Sequence, residues 1–185
     1  DVKVAGNIAK SKGKAKLITA TSVFSHVDDL DGFLDGVNNL LDEDGIFLIE
    51  VYYLKELLEK NLFDTIYHEH LSYFTVKTIS ALLERKGFEL FDAEVTDTHG
   101  GSLRAYAKKK GSNHKISKSV EDLMNIEKEK KLHEIGTYLK FAQKIEDNKK
   151  ALLDLLKRLK SQNKRIVGYG APAKGNTLLN YFGIG

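Results

Sequence analysis

The 185-residue chain carries 29 basic and 26 acidic side chains, a formal net charge of +3, and 42% hydrophobic residues. That balance gives no reason to expect a nucleic-acid partner, and the apolar fraction suffices for a core. Without cysteine there is no disulfide and no thiolate metal site, which suits the cytoplasm, and no apolar run approaches membrane-spanning length. The expectation is a soluble, cytoplasmic protein with no membrane partner. Met124 is the only methionine, Asp1 comes first, and Tyr181 to Gly185 follow closely on a glycine-rich turn, so the chain reads as a segment of something longer.

In chain order, Leu17-Ile18-Thr19-Ala20 predicts a strand, Leu30 to Leu41 an amphipathic helix, and Ile46-Phe47-Leu48-Ile49-Glu50-Val51 a second strand. A helix from about Val76 to Lys86 follows, closed by Gly87, and then strands over Phe88 to Val95 and Ser102 to Lys108. Strands alternating with helices imply an α/β sandwich with a mostly parallel sheet. The last two strands are joined through Asp97-Thr98-His99-Gly100-Gly101, too short for a crossover, and so form an antiparallel pair. Ligands of open α/β sheets sit at the carboxyl ends of the strands. Ser22 to His26, the stretch after Val51 and the His99 turn therefore belong on one edge.

Between these elements lies Tyr67-His68-Glu69-His70, followed by Leu71-Ser72-Tyr73-Phe74. If Asp64 or Thr65 caps a helix, Tyr67, His70 and Phe74 share one face and Glu69 and Tyr73 the next. Base, carboxylate and phenol could then meet in one pocket. An imidazole with a pKa of about 6.5 serves as a base near neutrality, worth roughly 10²–10⁴ in rate. Surface histidines at a helix start are the plainer reading.

From Ser117 to Lys160 the pattern turns to long helix: Val120, Leu123, Ile126, then Leu132, Ile135, Leu139, Ala142, Ile145, then Leu152, Leu153, Leu156, Leu159. Two helices are expected, with Gly136 as the weak point. A coiled coil is the competing reading. The irregular spacing, and the few apolar residues from Ile145 to Ala151, favour packing against the chain itself. Arg165 to Thr177 then reads as a strand, a glycine turn and a helix start, a geometry that offers backbone N–H groups to a phosphate beside Lys174. The spacing is not that of a P-loop, and a merely structural turn explains it as well.

Four ordered motifs span roughly 155 residues: Val23-Phe24-Ser25-His26-Val27-Asp28-Asp29, Tyr67-His68-Glu69-His70-Leu71-Ser72-Tyr73, His99-Gly100-Gly101-Ser102-Leu103-Arg104, and Gly168-Tyr169-Gly170-Ala171-Pro172-Ala173-Lys174-Gly175-Asn176-Thr177. Together they resemble the sugar C-methyltransferase family, whose best-known members are 3-C-methyltransferases of deoxysugar biosynthesis using S-adenosylmethionine. The resemblance implies that residues 1–112 are the latter half of a class I methyltransferase catalytic domain. It also implies that residues 113–185 are a long helical segment and the start of a second, Rossmann-like domain. Three departures stand out. The family's N-terminal zinc module and its glycine-rich cofactor turn are not in this chain, Ser22 stands where the family usually has Asn, and the C-terminal domain is cut after its first motif. The chain alone is accordingly expected to be inactive.

The implied reaction is methylation of carbon on a nucleotide-linked keto-deoxysugar through an enolate, which needs a base and oxyanion donors. The resemblance implies His70 as the base, Glu69 as its orienting or charge-balancing partner, and Tyr67 with His26 near the ketone oxygen. Thr21 and Ser22 would face S-adenosylmethionine; His99, Gly100, Lys174 and Asn176 would hold the nucleotide-sugar. Arg104 reads either as a phosphate ligand or as half of a structural ion pair. Two other classes compete: a metal-dependent hydrolase ligated by His68, Glu69 and His70, and a nucleotide-sugar-binding module without catalysis. The helices leave the oligomeric state open.

Overall fold

The computed structural model describes residues 1–170 and 172–185. Helix α1 (Val2–Lys12), capped by the Asp1 carboxylate on the Val4 amide at 2.8 Å, leads into strand β1 (Ala15–Thr21). Helix α2 (Leu30–Leu40), strand β2 (Leu41–Tyr52) and the short helix α3 (Leu54–Glu59) follow. Next come α4 (Val76–Arg85), β3 (Phe88–Thr96) and β4 (Ser102–Lys109). Helices α5 (Lys118–Glu129), α6 (Ile135–Ser161) and α7 (Ala173–Phe182) complete the chain. Among the described residues no helix is long and apolar enough to cross a membrane.

The four strands form one sheet in the order β1-β2-β4-β3. Strand β1 pairs parallel with β2, while β4 is antiparallel to both β2 and β3. The sheet is thus mixed rather than mostly parallel. The tight β3–β4 connection folds β4 back between β2 and β3, which would otherwise have been parallel neighbours. Alternation along β2 decides its two faces. Phe47, Ile49 and Val51 enter the main core with Leu34 and Val37 of α2, Ile79 and Leu83 of α4, and Phe24. Glu50, on the other face, meets its register partner Arg104, which also reaches Glu94, its partner on β3. Of the two readings for Arg104, the ion pair is the observed one.

Helices α5 and α6 break at residues 130–134, just before Gly136, so the expected pair of helices forms. A second core of Leu57, Leu58, Leu132, Phe141, Ile145 and Phe182 ties α3, α6 and α7 together. Phe141 and Ile145 mark the inward face of α6, whereas Ile135 and Leu139 point outward. Packing on α3 selects a face that the spacing alone did not.

Residues 164–170 form no strand. A strand needs a neighbour to satisfy its backbone, and this stretch pairs with none of the four described strands; Val167 is 73% exposed. The helix expected after it is α7. Ala171, inside the expected glycine turn, lies outside the described residues.

Candidate active site

The site sits at the carboxyl edge of the sheet. Ser22 follows β1, Tyr52 ends β2, and Ser102 opens β4 after the His99 turn. With Ser25, His26, Val51, Tyr67 and His70 they line a cavity of about 200 Å³. Ser22 to His26, the stretch after Val51 and the His99 turn, the three segments expected on this edge, all contribute to the cavity, and Tyr67 and His70 join them there.

The segment carrying Tyr67 and His70 is not a helix. A 3₁₀ turn at Phe63–Thr65 gives way to an irregular loop. In a helix the Thr65 carbonyl would accept from the amide four residues on. Here it accepts instead from the His70 ring, with Nδ1 2.6 Å away. The loop is pinned from outside: the Leu71 amide donates to the Ser25 carbonyl at 2.9 Å, and the Leu54 amide to that of Phe74 at 3.0 Å. Phe74 itself packs on the fully buried Phe24, ring centroids 5.4 Å apart. Tertiary partners thus replace the helical ladder, and they turn Tyr67 and His70 into the same cavity.

His70 is 7% exposed and lies at the centre of the site. Its ring centroid is 4.3 Å from that of Tyr67, 4.9 Å from His26 and 5.0 Å from Tyr52. A carbonyl can only accept, so Nδ1 carries the proton and Nε2 is left with a lone pair. Burial pushes the His70 pKa below the ordinary histidine value; the Thr65 carbonyl opposes this, and the charges of His26 and Lys174 add to the lowering. The imidazole is therefore neutral and basic near neutral pH. The phenols of Tyr52, Tyr67 and Tyr73 are all raised, chiefly by burial, and remain protonated donors.

The other expected site residues fall around this centre unevenly. His26 and His99 line the cavity, His99 with its ring centroid 5.9 Å from that of Tyr52. His99 and Gly100 occupy positive-φ positions, as does Gly101, where an added Cβ would meet that of Glu56 at 2.5 Å. Glu69 is exposed and makes no hydrogen bond to His70 among the described residues; the orienting acceptor is the Thr65 carbonyl. Ser22 borders the cavity whereas Thr21, Gly100 and Asn176 do not. Lys174 arrives from α7 with its Nζ 5.4 Å from the centre of the Tyr52 ring. His68 is exposed, and the described residues hold no group of three or more His, Asp or Glu placed to bind a metal.

Tyr52 and the Thr65 carbonyl were not singled out from sequence. The position after Val51 was expected at the edge, but a tyrosine ending a strand carries no chemical signature. A backbone carbonyl carries none at all.

Residues 2–93 match a model described as a methyltransferase domain, and residues 97–185 match one described as a C-methyltransferase C-terminal domain. By sequence, the chain is C-methyltransferase-like. It is 37% identical over 182 residues to the C-methyltransferase NovU of Streptomyces niveus, covering 98% of this chain and 43% of that protein. The chain thus spans less than half the length of this relative. Among the solved structures that match are two methyltransferases of much lower identity. An S-adenosylmethionine-dependent methyltransferase from Anabaena variabilis is 15% identical, with 59% of this chain and 55% of that one covered and a TM-score of 0.45. Magnesium protoporphyrin IX methyltransferase from Synechocystis, holding S-adenosylhomocysteine, is 16% identical, with coverage of 56% and 48% and a TM-score of 0.41.

Proposed function

We propose that the whole protein is an S-adenosylmethionine-dependent C-methyltransferase acting on a nucleotide-linked keto-deoxysugar, with His70 as the base that forms the enolate. The observation that carries this reading is the state of His70: buried, neutral, its Nδ1–H fixed on the Thr65 carbonyl and its Nε2 without a partner among the described residues. The residue-level resemblance set out above and the 37% identity to NovU support the chemistry.

In this reading Nε2 removes the proton on the carbon beside the ketone, leaving the negative charge on the ketone oxygen. Tyr67 and His26, on either side of His70, are the donors proposed for that oxygen. S-adenosylmethionine, when bound, would supply the electrophilic methyl to the enolate carbon, its sulfur–methyl bond breaking to leave S-adenosylhomocysteine. Of the two residues expected to face it, Ser22 fits, since it borders the cavity beside His26. Glu69, outside the cavity, acts on His70 through its charge alone, which favours the imidazolium formed after proton removal.

A cavity of about 200 Å³ is smaller than the 300–1,000 Å³ usual for a whole drug-sized ligand. It suits the reacting sugar ring, with the nucleotide lying outside toward His99, Gly100, Lys174 and Asn176. In keeping with this, the proposed division is a methyltransferase portion over residues 1–112 and, from residue 113, a helical segment leading into a Rossmann-like domain. The 185 residues alone are proposed to lack turnover. Incubating the whole protein with methyl-labelled S-adenosylmethionine and a nucleotide-linked keto-deoxysugar tests the reading: label is expected on a sugar carbon. Label found only on oxygen or nitrogen, or none on the sugar, would overturn it.

A further inference from the structure

Tyr52 takes no part in the proton transfer described above, yet its ring lies against His70, His99 and Lys174. It ends β2 on the cavity wall, with one ring contact to His70 at 5.0 Å and another to His99 at 5.9 Å. The Lys174 ammonium lies over the same ring at 5.4 Å, within the reach of a cation–π contact. Lys174 is half-buried and, among the described residues, has no carboxylate partner. Lys55 and Lys108 do have one, Lys55 meeting Glu56 and Glu59 and Lys108 meeting Glu89, whereas half-buried Lys149 resembles Lys174 in lying over a tyrosine ring, that of Tyr181 at 5.0 Å.

The far end of α7 is fixed independently of this contact. The Phe182 ring stacks on Phe63 at 5.2 Å, and the Tyr181 hydroxyl donates to Glu146 at 2.7 Å. The helix is therefore anchored at its C-terminus on the second core. At its other end the ammonium of Lys174, which does not itself line the cavity, lies over the Tyr52 ring of the cavity wall, at the sheet edge.

We infer that Tyr52 is a positioning residue: its ring holds Lys174 at the mouth of the His70 cavity, where the unpaired ammonium receives an anionic, phosphate-bearing part of the substrate. The inference rests on the proposed nucleotide-sugar reading for the identity of that anion, but the Tyr52–Lys174 coupling stands apart from it. A compact, mobile ammonium needs such a support, because its four-carbon stem otherwise samples many positions. Tyrosine provides the support without neutralising the charge, as a carboxylate would.

The readout is the titration of the His70 ring followed by NMR in this chain. Groups facing that ring are His26 and Tyr52 from the strand ends, Tyr67, Glu69 and Tyr73 from the loop, and Lys174 from α7. Removing the Lys174 charge with Lys174→Gln is expected to raise the His70 pKa. Tyr52→Leu is expected to raise it too, partly by hydrating the ring, so the coupling is read from the double variant. The shift caused by Tyr52→Leu should be smaller in the Lys174→Gln background than in the native one. Tyr52→Phe, which keeps the ring, should preserve most of the native value. Inorganic pyrophosphate should raise the His70 pKa in the native chain and in Tyr52→Phe, and have less effect in Tyr52→Leu.

Equal shifts for Tyr52→Leu in both backgrounds, or an unmoved His70 after Lys174→Gln, would overturn the inference. So would pyrophosphate acting equally on native and Tyr52→Leu chains. None of these measurements requires methyl transfer, so a failure of the enzymatic reading leaves them interpretable. In an active whole protein, Tyr52→Leu should raise KM for the nucleotide-sugar about tenfold with a smaller change in kcat.

Discussion

Two buried ionisable groups, His70 and Glu127, show how structural and chemical sites differ in one molecule. Glu127 of α5 is 0% exposed and fully engaged: one oxygen accepts from the Tyr53 hydroxyl at 3.0 Å and from the Val76 amide at 2.5 Å, and the other from the Lys77 amide at 3.2 Å. It caps the N-terminus of α4 from a neighbouring helix, where an anion is favoured by the exposed amides and the helix dipole. Burial and the adjacent Glu127 carboxylate raise the Tyr53 phenol far above its ordinary value, so it stays a donor. His70 is almost as deeply buried but, among the described residues, its ring makes one bond through one nitrogen. A saturated buried charge locks elements together. An imidazole with one anchored and one uncommitted nitrogen has a reaction left to perform.

The largest expected effect separates the two in function. His70→Asn, which keeps a polar side chain near Thr65, should lower methyl transfer by the whole protein by about 10²–10⁴ while thermal stability changes little. Glu127→Ala should do the reverse. It strands the Tyr53 hydroxyl and two amides, and should destabilise the chain by about 3 kcal/mol in urea unfolding, with the His70 environment retained in the folded fraction. A stable Glu127→Ala chain would break the contrast.

Next in size is Gly101→Ala, at the turn that carries His99. Its φ of 139° and the 2.5 Å approach of an added Cβ to Glu56 predict a loss of about 2 kcal/mol and displacement of the His99 loop. Circular-dichroism melts and His99 chemical shifts would measure both.

Acidification sharpens the comparison further. The lowered His70 pKa means that the unfolded chain takes up its proton first as pH falls. Stability should therefore decline as pH drops through the ordinary histidine value and level off below the folded pKa. The acid limb of kcat/KM should lie below that ordinary value as well. A limb at or above it would show that His70 is not held neutral by burial. The smallest effect belongs to Glu69→Gln: an exposed charge acts through solvent, so about a threefold loss, diminished by added salt, is expected.

How much of this was legible in the sequence varies with the kind of interaction. Helices α2 and α4, and strands β1 to β4, followed from local periodicity and from Gly87. The position of β4 between β2 and β3 did not, since pairing order is a long-range choice. The edge that gathers Ser22, His26 and His99 was legible from the rule for strand ends. The loop around His70 was read as a helix because its spacing fits one. What overrode it was a pair of long-range bonds, Leu71 to Ser25 and Leu54 to Phe74, together with a side-chain bond from His70 to the Thr65 carbonyl that residue spacing does not encode. The role given to Glu69 failed to account for His70 orientation for the same reason: a neighbouring carboxylate was visible in the sequence, whereas a carbonyl five residues back was not. The strand expected from Arg165 to Gly170 does not form, because a strand exists only with a partner and this stretch pairs with none of the described strands.

The most direct test of the central claim is exchange of the sugar's α-proton with deuterated solvent, catalysed by the whole protein with S-adenosylmethionine withheld. Native protein should exchange that proton, and His70→Asn, with an unchanged melting temperature, should exchange it at least about 100-fold more slowly. Undiminished exchange by a folded His70→Asn protein would contradict the assignment of His70 as the base.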